Sequence, residues 1–433
     1  MPVSIVKYDE TPNALRRAIE LCNGFEKLKS HNKVLLKPNI VYCGGTRKQP
    51  PYGMVTTSRI VENLIQLLLE QGCKDISIGE GTVEHEELGS NTSRGYRIWG
   101  IEKVAKRYGV KLIDFNKGSH KKVDFDGTRI GISDFALESD FLINLPVLKT
   151  HAETKISLGL KNLKGCLDMA SRKEFHKKDL DQMIALLNTQ VKPKLTIIDG
   201  IYALERGPIT GIGTPCRMNL IIAGKDALSC DIVGSTVIGF EPSSIGHLKE
   251  FASISKRSLD LHTIDVRGEN IKDVTKKLEW ENDFEDIFRQ TNIKGVTFQS
   301  PGKHLCSSCI FTTCAAVVIF CKDNNGITLD NVEICCDPDL KPRKDSKKVF
   351  LIGNCTIQAN KDLKNAIRVK GCPPNAVDTL ISLMSHTLDK ERTQEILMIR
   401  SAQTLPDAPG IYEEDFPAFY KPYGLPEFDK KHF

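Results

Sequence analysis

The sequence predicts an α/β protein: a mainly parallel sheet covered by helices on both faces, plus a smaller cysteine-rich α/β module. Three observations carry this. Short β-branched runs alternate with amphipathic stretches over the first 300 residues. The strand runs are continuously apolar, as strands buried on both faces are. Cysteines crowd into the last third, beyond a composition change near Ser300-Pro301-Gly302.

The elements follow in order. Lys33 to Pro38 reads as a buried strand closed by the proline. Ser58 to Gln71 reads as a helix, with Ile60, Val61, Leu64, Ile65, Leu68 and Leu69 at 3/4 spacing and Gly72 as its stop. Asp75 to Gly79 is a strand, Ile101 to Tyr108 a helix and Val110 to Asp114 a strand. Phe141–Leu145, Leu195–Asp199 and Leu220–Gly224 are further strands, and Met183–Leu187 lies in a helix. In the module, Val349–Gly353 is a strand and Pro374–Met384 a helix. These divide the chain into an α/β domain (1–300), a cysteine-rich module (301–404) and a tail (405–433) rich in proline and aromatics. The tail is read as extended, covering the core or meeting another subunit.

Composition narrows the function classes. The chain has 433 residues, 40% hydrophobic and 27% charged, an ordinary globular balance. A net charge of +5 with no Lys/Arg-rich block argues against nucleic acid and suits an anionic substrate. The N-terminus lacks the basic and apolar regions of a signal peptide, and no apolar run approaches the roughly 18–20 residues of a membrane span. The expectation is a cytoplasmic protein, with homo-oligomerisation left open. Its 14 cysteines fit a strongly reducing, even anaerobic, cell.

Ligands of open parallel sheets bind at the carboxyl ends of strands. Here those ends are polar: Lys37-Pro38-Asn39; Gly79-Glu80-Gly81 with His85 and Glu86 beyond; and Asp199-Gly200 leading to Gly207-Pro208, Gly211 and Gly213. No Walker or dinucleotide fingerprint is present. The richest stretch runs from Asn144 through Lys149, His151, Lys155, Lys161, Asn162 and Lys164 to Gly165-Cys166. Its lysines offer charge-assisted donors to a carboxylate or phosphate, and its histidine can transfer a proton near neutral pH. The plain alternative is a solvated basic loop, which the apolar spacing and the preceding buried strand weigh against. His151, Lys161 and Glu80 are therefore the catalytic candidates: proton transfer, anion contact and a second acid/base group. Lys37, Asn39, Lys149, Lys155, Asn162, Lys164, Asp199 and Gly207 are candidates for binding a small anionic substrate or cofactor.

The ordered series Lys37-Pro38-Asn39, Ile78-Gly79-Glu80, Asn144 to His151 with Lys161 to Gly165, Ile198-Asp199-Gly200 with Gly207-Pro208, and Ala223 to Ala227 with Asp231 resembles the family called domain of unknown function 362. The resemblance spans roughly residues 1–250. It implies an α/β fold, often with an attached iron–sulfur module, and names no agreed reaction. A more remote similarity is to the lactate racemase superfamily, where a strand-end histidine precedes a lysine by ten positions, as His151 precedes Lys161. In those enzymes the matching lysine holds a nickel-pincer cofactor covalently and the histidine sits beside the substrate. Their Gly-Gly-Arg-Lys pattern is Leu158-Gly159-Leu160-Lys161 here, so the cofactor is not carried over.

Eight cysteines fall between Cys306 and Cys372, and six are scattered earlier. A dense cytosolic cluster points to a metal site before a disulfide framework. Cys306-Ser-Ser-Cys309 offers two thiolates, and Gly353-Asn354-Cys355 and Gly371-Cys372-Pro373-Pro374 offer one each, completing a four-thiolate set for a 4Fe-4S cluster. Cys314 is a substitute ligand, and zinc is the alternative metal. Cys321, Cys335 and Cys336 read as core. The layout is similar to the proximal-cluster subunit of hydrogenases and complex I relatives, where the same three pieces bind a four-iron cluster. The leading expectation is an iron–sulfur-dependent redox enzyme or electron-transfer protein with a redox partner. A non-redox isomerase or racemase with a structural cluster, and a cofactor-handling or maturation protein, are the alternatives.

Overall fold

The computed structural model describes residues 1–43, 52–84, 89–208, 213–280, 288–298 and 307–401. His85, Glu86, Gly211, Cys306 and the tail from 405 lie outside the described residues. The chain forms two compact units, which meet in sequence between Trp280 and Glu281.

The buried apolar runs of the first unit become strands. In chain order these are β1 (Val3–Lys7), β2 (Val34–Pro38), β3 (Ile76–Glu80), β4 (Lys111–Asp114), β5 (His120–Phe125), β6 (Thr128–Ser133), β7 (Phe141–Leu145), β8 (Val147–His151), β9 (Lys155–Ile156), β10 (Leu195–Glu205), β11 (Thr214–Gly224) and β12 (Val266–Gly268). A ten-stranded sheet runs β12-β1-β11-β10-β7-β2-β3-β4, with β8 on β10 and β9 on β8. From β4 to β10 every neighbour along this path is parallel. β11 instead runs antiparallel to both β10 and β1. The short connection after β10 leaves no room for a crossover helix, so the chain turns straight back. The hairpin β5–β6 stands apart, closed by Asp126-Gly127, both at positive φ.

The helices follow their sequence signals. The helix Ser58–Glu70 is capped by Thr57, whose side chain accepts from Ile60 N, and it buries Ile60, Val61, Leu64, Ile65 and Leu68. The helix Ile101–Tyr108 is bracketed by the left-handed glycines Gly100 and Gly109. Helix faces and sheet together bury a core that includes Leu35, Phe115, Leu142, Leu160, Ile198 and Ile222. The result is the predicted mixed α/β architecture. No helix among the described residues is long and apolar enough to cross a membrane.

Topology now fixes one location. The chain winds outward from β2 through β3 to β4, then returns to β7 on the other side of β2. The order therefore reverses between β2 and β7, where Lys37 stands in register with Asn144. Such a switch point opens a crevice at the strands' carboxyl ends.

The second unit carries four parallel strands in the order β13 (Lys294–Phe298), β14 (Thr328–Cys335), β15 (Lys348–Ile352) and β16 (Ile367–Val369). The helix Ser307–Asp323 lies between β13 and β14 in sequence, Asn354–Ala359 follows β15, and Ala376–Thr387 follows β16.

Leu36 is fully buried in β2, the strand beside the switch point. Leu36→Ala should cost about 2–5 kcal/mol, the usual loss for a large-to-small core change. Urea denaturation of the first unit's transition measures it.

Candidate functional site

Lys37 is charged, sits in a strand, and is 1% exposed. It survives there because its Nζ meets Glu80 Oε2 at 2.6 Å and donates to Pro38 O at 2.9 Å. Glu80 ends β3, and its second oxygen accepts from Gly81 N at 2.8 Å. Ile40 N donates to Glu80 Oε2 at 3.1 Å. This carboxylate, a sequence candidate for acid/base work, is thus fully occupied in holding the ends of β2 and β3 together. Gly165 closes over the pair. A Cβ there would lie 2.0 Å from Glu80 Oε1 and 2.5 Å from Lys37 Nζ, so only glycine fits.

Asparagines extend the network. Asn162 Oδ1 accepts from Asn39 Nδ2 at 3.0 Å, and Asn162 Nδ2 donates to Asn144 Oδ1 at 2.8 Å. Asn39 Oδ1 in turn accepts from Lys149 Nζ at 2.6 Å, and Lys149 also donates to Met54 O at 2.7 Å. Burial pulls the Lys149 amine down to about 7; Glu80 opposes this and the Lys37 charge adds to it. Lys149 and His151 share β8, which continues beyond Pro146 alongside β10. Residues i and i+2 of a strand face the same way, so both point to one side.

His151 is 4% exposed. Its Nδ1 accepts from Glu153 N at 3.1 Å, which places the ring proton on Nε2. Burial first, then the Lys161, Lys149 and Lys164 charges, hold its pKa well below the usual imidazole range. His151 is therefore a neutral N–H donor here. Behind it runs a relay that the sequence reading missed. Lys164 Nζ lies 2.9 Å from His176 Nε2, and His176 Nδ1 lies 3.0 Å from Glu153 Oε1. Burial would raise the Glu153 carboxyl, but His176, Lys161 and Lys164 outweigh it and bring it down to about 2. Arg172, one turn before His176, donates to Thr82 O, Asn116 Oδ1, Gly165 O and Leu167 O, fixing the turn around Gly165. The Arg172/His176 pair at i, i+4 just after the basic stretch was the available signal.

Lys161 differs from its neighbours. It is 7% exposed, and its Nζ makes no hydrogen bond among the described residues. Burial holds this amine well below the usual lysine range; Glu153 opposes the shift, and Lys164 and Lys149 reinforce it. Its short helix, Gly159–Asn162, is pinned by Asp231, whose oxygens accept from Gly159 N at 2.6 Å and Leu160 N at 2.8 Å. Burial pushes the Asp231 carboxyl up to about 7.

Two candidates stand apart. Asp199 accepts from Thr57 N at 2.7 Å and Ile201 N at 3.1 Å, anchoring the start of a helix. Lys155 lies 5.7 Å from the Trp280 ring centroid. Gly207 donates its N–H to Thr150 Oγ1 and so backs β8 beside His151. A surface groove of about 510 Å³, lined by Arg16, Glu20, Phe25, Leu67 and Gln71, lies elsewhere; no residue of the strand-end network lines it.

In the second unit each described ligand candidate follows a parallel strand, but among the described residues no three His, Cys, Asp or Glu side chains lie close enough together to hold a metal ion. Cys355 follows β15, Cys372 follows β16, and Cys309 sits in the first turn of the helix after β13. Gly353 has φ +91°, and a Cβ there would lie 3.6 Å from Cys309 Sγ and 3.9 Å from Pro374 Cδ. The two loops are tied by Asn354 N to Gly371 O and by Gly371 N to Asn354 Oδ1, each 2.9 Å. Cys355 and Cys372 are exposed and Cys309 is half-buried. Cys314 is buried inside the helix, and burial pushes its thiol well up. Cys321 and Cys335 are buried thiols pushed up to about 12, and Cys336 is buried as well.

A parallel sheet with buried lysines and asparagines at its switch point defines an α/β domain organised around a strand-end site. Residues 34–236 match the family described as Domain of unknown function (DUF362), the family that the motif series resembles. The chain is 28% identical over 240 residues to the thylakoid-associated protein sll1697 of Synechocystis sp., covering 54% of this chain and 71% of that protein. The lactate racemase apoprotein from Thermoanaerobacterium thermosaccharolyticum superimposes with a TM-score of 0.33 at 14% identity, over 53% of this chain and 56% of that one. A superposition that loose carries no inference about activity.

Glu80→Gln should cost about 3–5 kcal/mol, the loss for breaking a buried pair from one side, because it leaves the Lys37 ammonium without its countercharge. Gly165→Ala should destabilise in the same direction. Urea unfolding of both variants against the parent checks this.

Proposed function

We propose that the DUF362-like domain is an enzyme acting on a small anion at the β2–β7 switch point. One observation carries the reading: the site's basic groups outnumber its acids. Lys37, Lys149, Lys161, Lys164 and Arg172 stand against Glu80 and Glu153. Buried cations need countercharge or they shed protons, and the lowered amines of Lys149 and Lys161 are that strain made visible. A bound carboxylate or phosphate would supply the missing charge. His151 Nε2–H would donate to a substrate oxygen, and the Glu153–His176–Lys164 relay would hold the imidazole's orientation.

We further infer that the second unit holds a four-iron cluster. Its support is the sequence pattern, in which Cys309, Cys355 and Cys372 each follow a parallel strand and Cys306, three positions before Cys309, offers the fourth thiolate; metal binding would have to draw them together, since no three potential ligands lie close enough for a metal among the described residues. Cys314 fits the core rather than the ligand set. When bound, such a cluster supplies one-electron transfer. With an anion site in the same chain, this supports an iron–sulfur oxidoreductase. Zinc remains the competing metal.

Anaerobically purified protein should be brown and carry about four iron atoms per chain. Cys372→Ser should lose both colour and iron. One zinc in a colourless chain overturns the cluster assignment. An isomerase would keep its turnover in the Cys372→Ser protein, whereas a redox enzyme would lose it.

Anion affinity should depend on pH with a definite sign. Protonated Lys149 attracts an anion, so sulfate affinity should fall as pH rises through about 7. Lys149→Met should weaken binding by about tenfold and flatten that profile. Calorimetric titration with sulfate across this range is the measurement; no binding at any pH rejects the anion site.

A further inference from the structure

We propose that Lys161 is a nucleophilic amine that captures the carbonyl carbon of a small 2-oxo acid as an imine. This deepens the anion-site reading and rests on it.

The geometry separates Lys161 from the other lysines. Lys37 is committed to Glu80 and Pro38 O. Lys149 is committed to Asn39 and Met54 O. Lys164 contacts His176. Lys161 Nζ is buried and has no hydrogen-bond partner among the described residues. A buried ammonium would leave three donors unanswered, whereas a neutral amine leaves a lone pair and far less to desolvate. Burial and the nearby cations Lys164 and Lys149 both favour the amine. Desolvation and an adjacent cation are the two ways in which a lysine becomes a nucleophile near neutral pH.

The surroundings specify the electrophile. Of the charges acting on the neighbouring His151 ring, that of Lys161 is the strongest. The ring's Nε2–H has no hydrogen-bond partner among the described residues, its Nδ1 being the nitrogen that accepts from Glu153 N. Amine and N–H thus suit a carbonyl carbon and its oxygen or adjacent carboxylate. Lys149 and Lys164 supply cationic charge for that carboxylate. A ligand with a carbonyl next to a carboxylate answers all of these groups.

The step balances without an oxidant or reductant. The Nζ lone pair forms a C–N bond as the carbonyl π pair moves to oxygen. One amine proton shifts to that oxygen, and a proton from solvent completes the departing water. The product is a protonated imine and one water. The substrate carboxylate then offsets the charge gained at nitrogen.

The test uses the full chain, pyruvate or glyoxylate, and sodium cyanoborohydride at neutral pH, followed by peptide mass mapping. Exposed lysines are unprotonated to roughly one part in a few thousand there, so Lys161 should be alkylated at least about tenfold faster. Lys161→Arg should lose that adduct and leave slow surface labelling unchanged. Labelling that follows exposure and spares Lys161 overturns the inference. Calorimetry of pyruvate with the unmodified protein separates the two levels. Binding without a Lys161 adduct rejects the imine and leaves the anion site standing. Neither binding nor adduct rejects both.

Discussion

The buried ion pair between Lys37 and Glu80 is the constraint on which the rest of the first unit's site depends. Taking both charges out of water is costly, and Coulomb attraction alone does not reliably offset it. Here the carboxylate also accepts from two backbone N–H groups, and the ammonium from Lys37 also reaches Pro38 O. Those bonds tie together the segments that leave β2 and β3. They also dictate what can lie above: a residue without a side chain at Gly165, and Asn162 beside it. Once these are set, the helix Gly159–Asn162 has one place to lie, and Lys161 is carried into the site with it.

Much of this was legible in the sequence because the signals are local. The 3/4 spacing from Ile60 to Leu68 gave the helix after Thr57. The apolar runs at Val34, Phe141 and Leu195 gave adjacent parallel strands. The string from Lys161 to Gly165 announced a basic turn after a buried strand. What stayed hidden depends on contacts distant in sequence. Nothing near Leu220 says that β11 runs antiparallel, since that follows from the turn before it. His176 meets Glu153 across 23 residues, and Arg172 reaches the carbonyl of Thr82 across 90. Glu80 and Asp199 looked like spare carboxylates at strand ends, yet each is committed to backbone N–H groups. Composition marks an acid; only the fold shows whether it is already engaged.

The two units apply one rule to different chemistry. Parallel strands end together, and the residues just past them share an edge. In the first unit that edge gathers hard cationic donors, with amides sorting them into fixed positions. In the second, cysteines follow the strand ends, and Gly353 at positive φ lets its loop pass close to Cys309. Cys314, Cys321 and Cys335 are buried inside their elements, whereas exposed Cys355 and Cys372 follow the ends of β15 and β16.

The lowered amine of Lys149 has a consequence for what enters the first site. An anion that settles beside it restores the ordinary preference of an amine for its proton. Above about pH 7 the site therefore draws a proton from solution for an anion it accepts. Counted as a whole, the transaction admits the uncharged acid, although the molecule that diffuses in is its conjugate base. Binding heat would then carry the signature of the buffer that surrendered the proton.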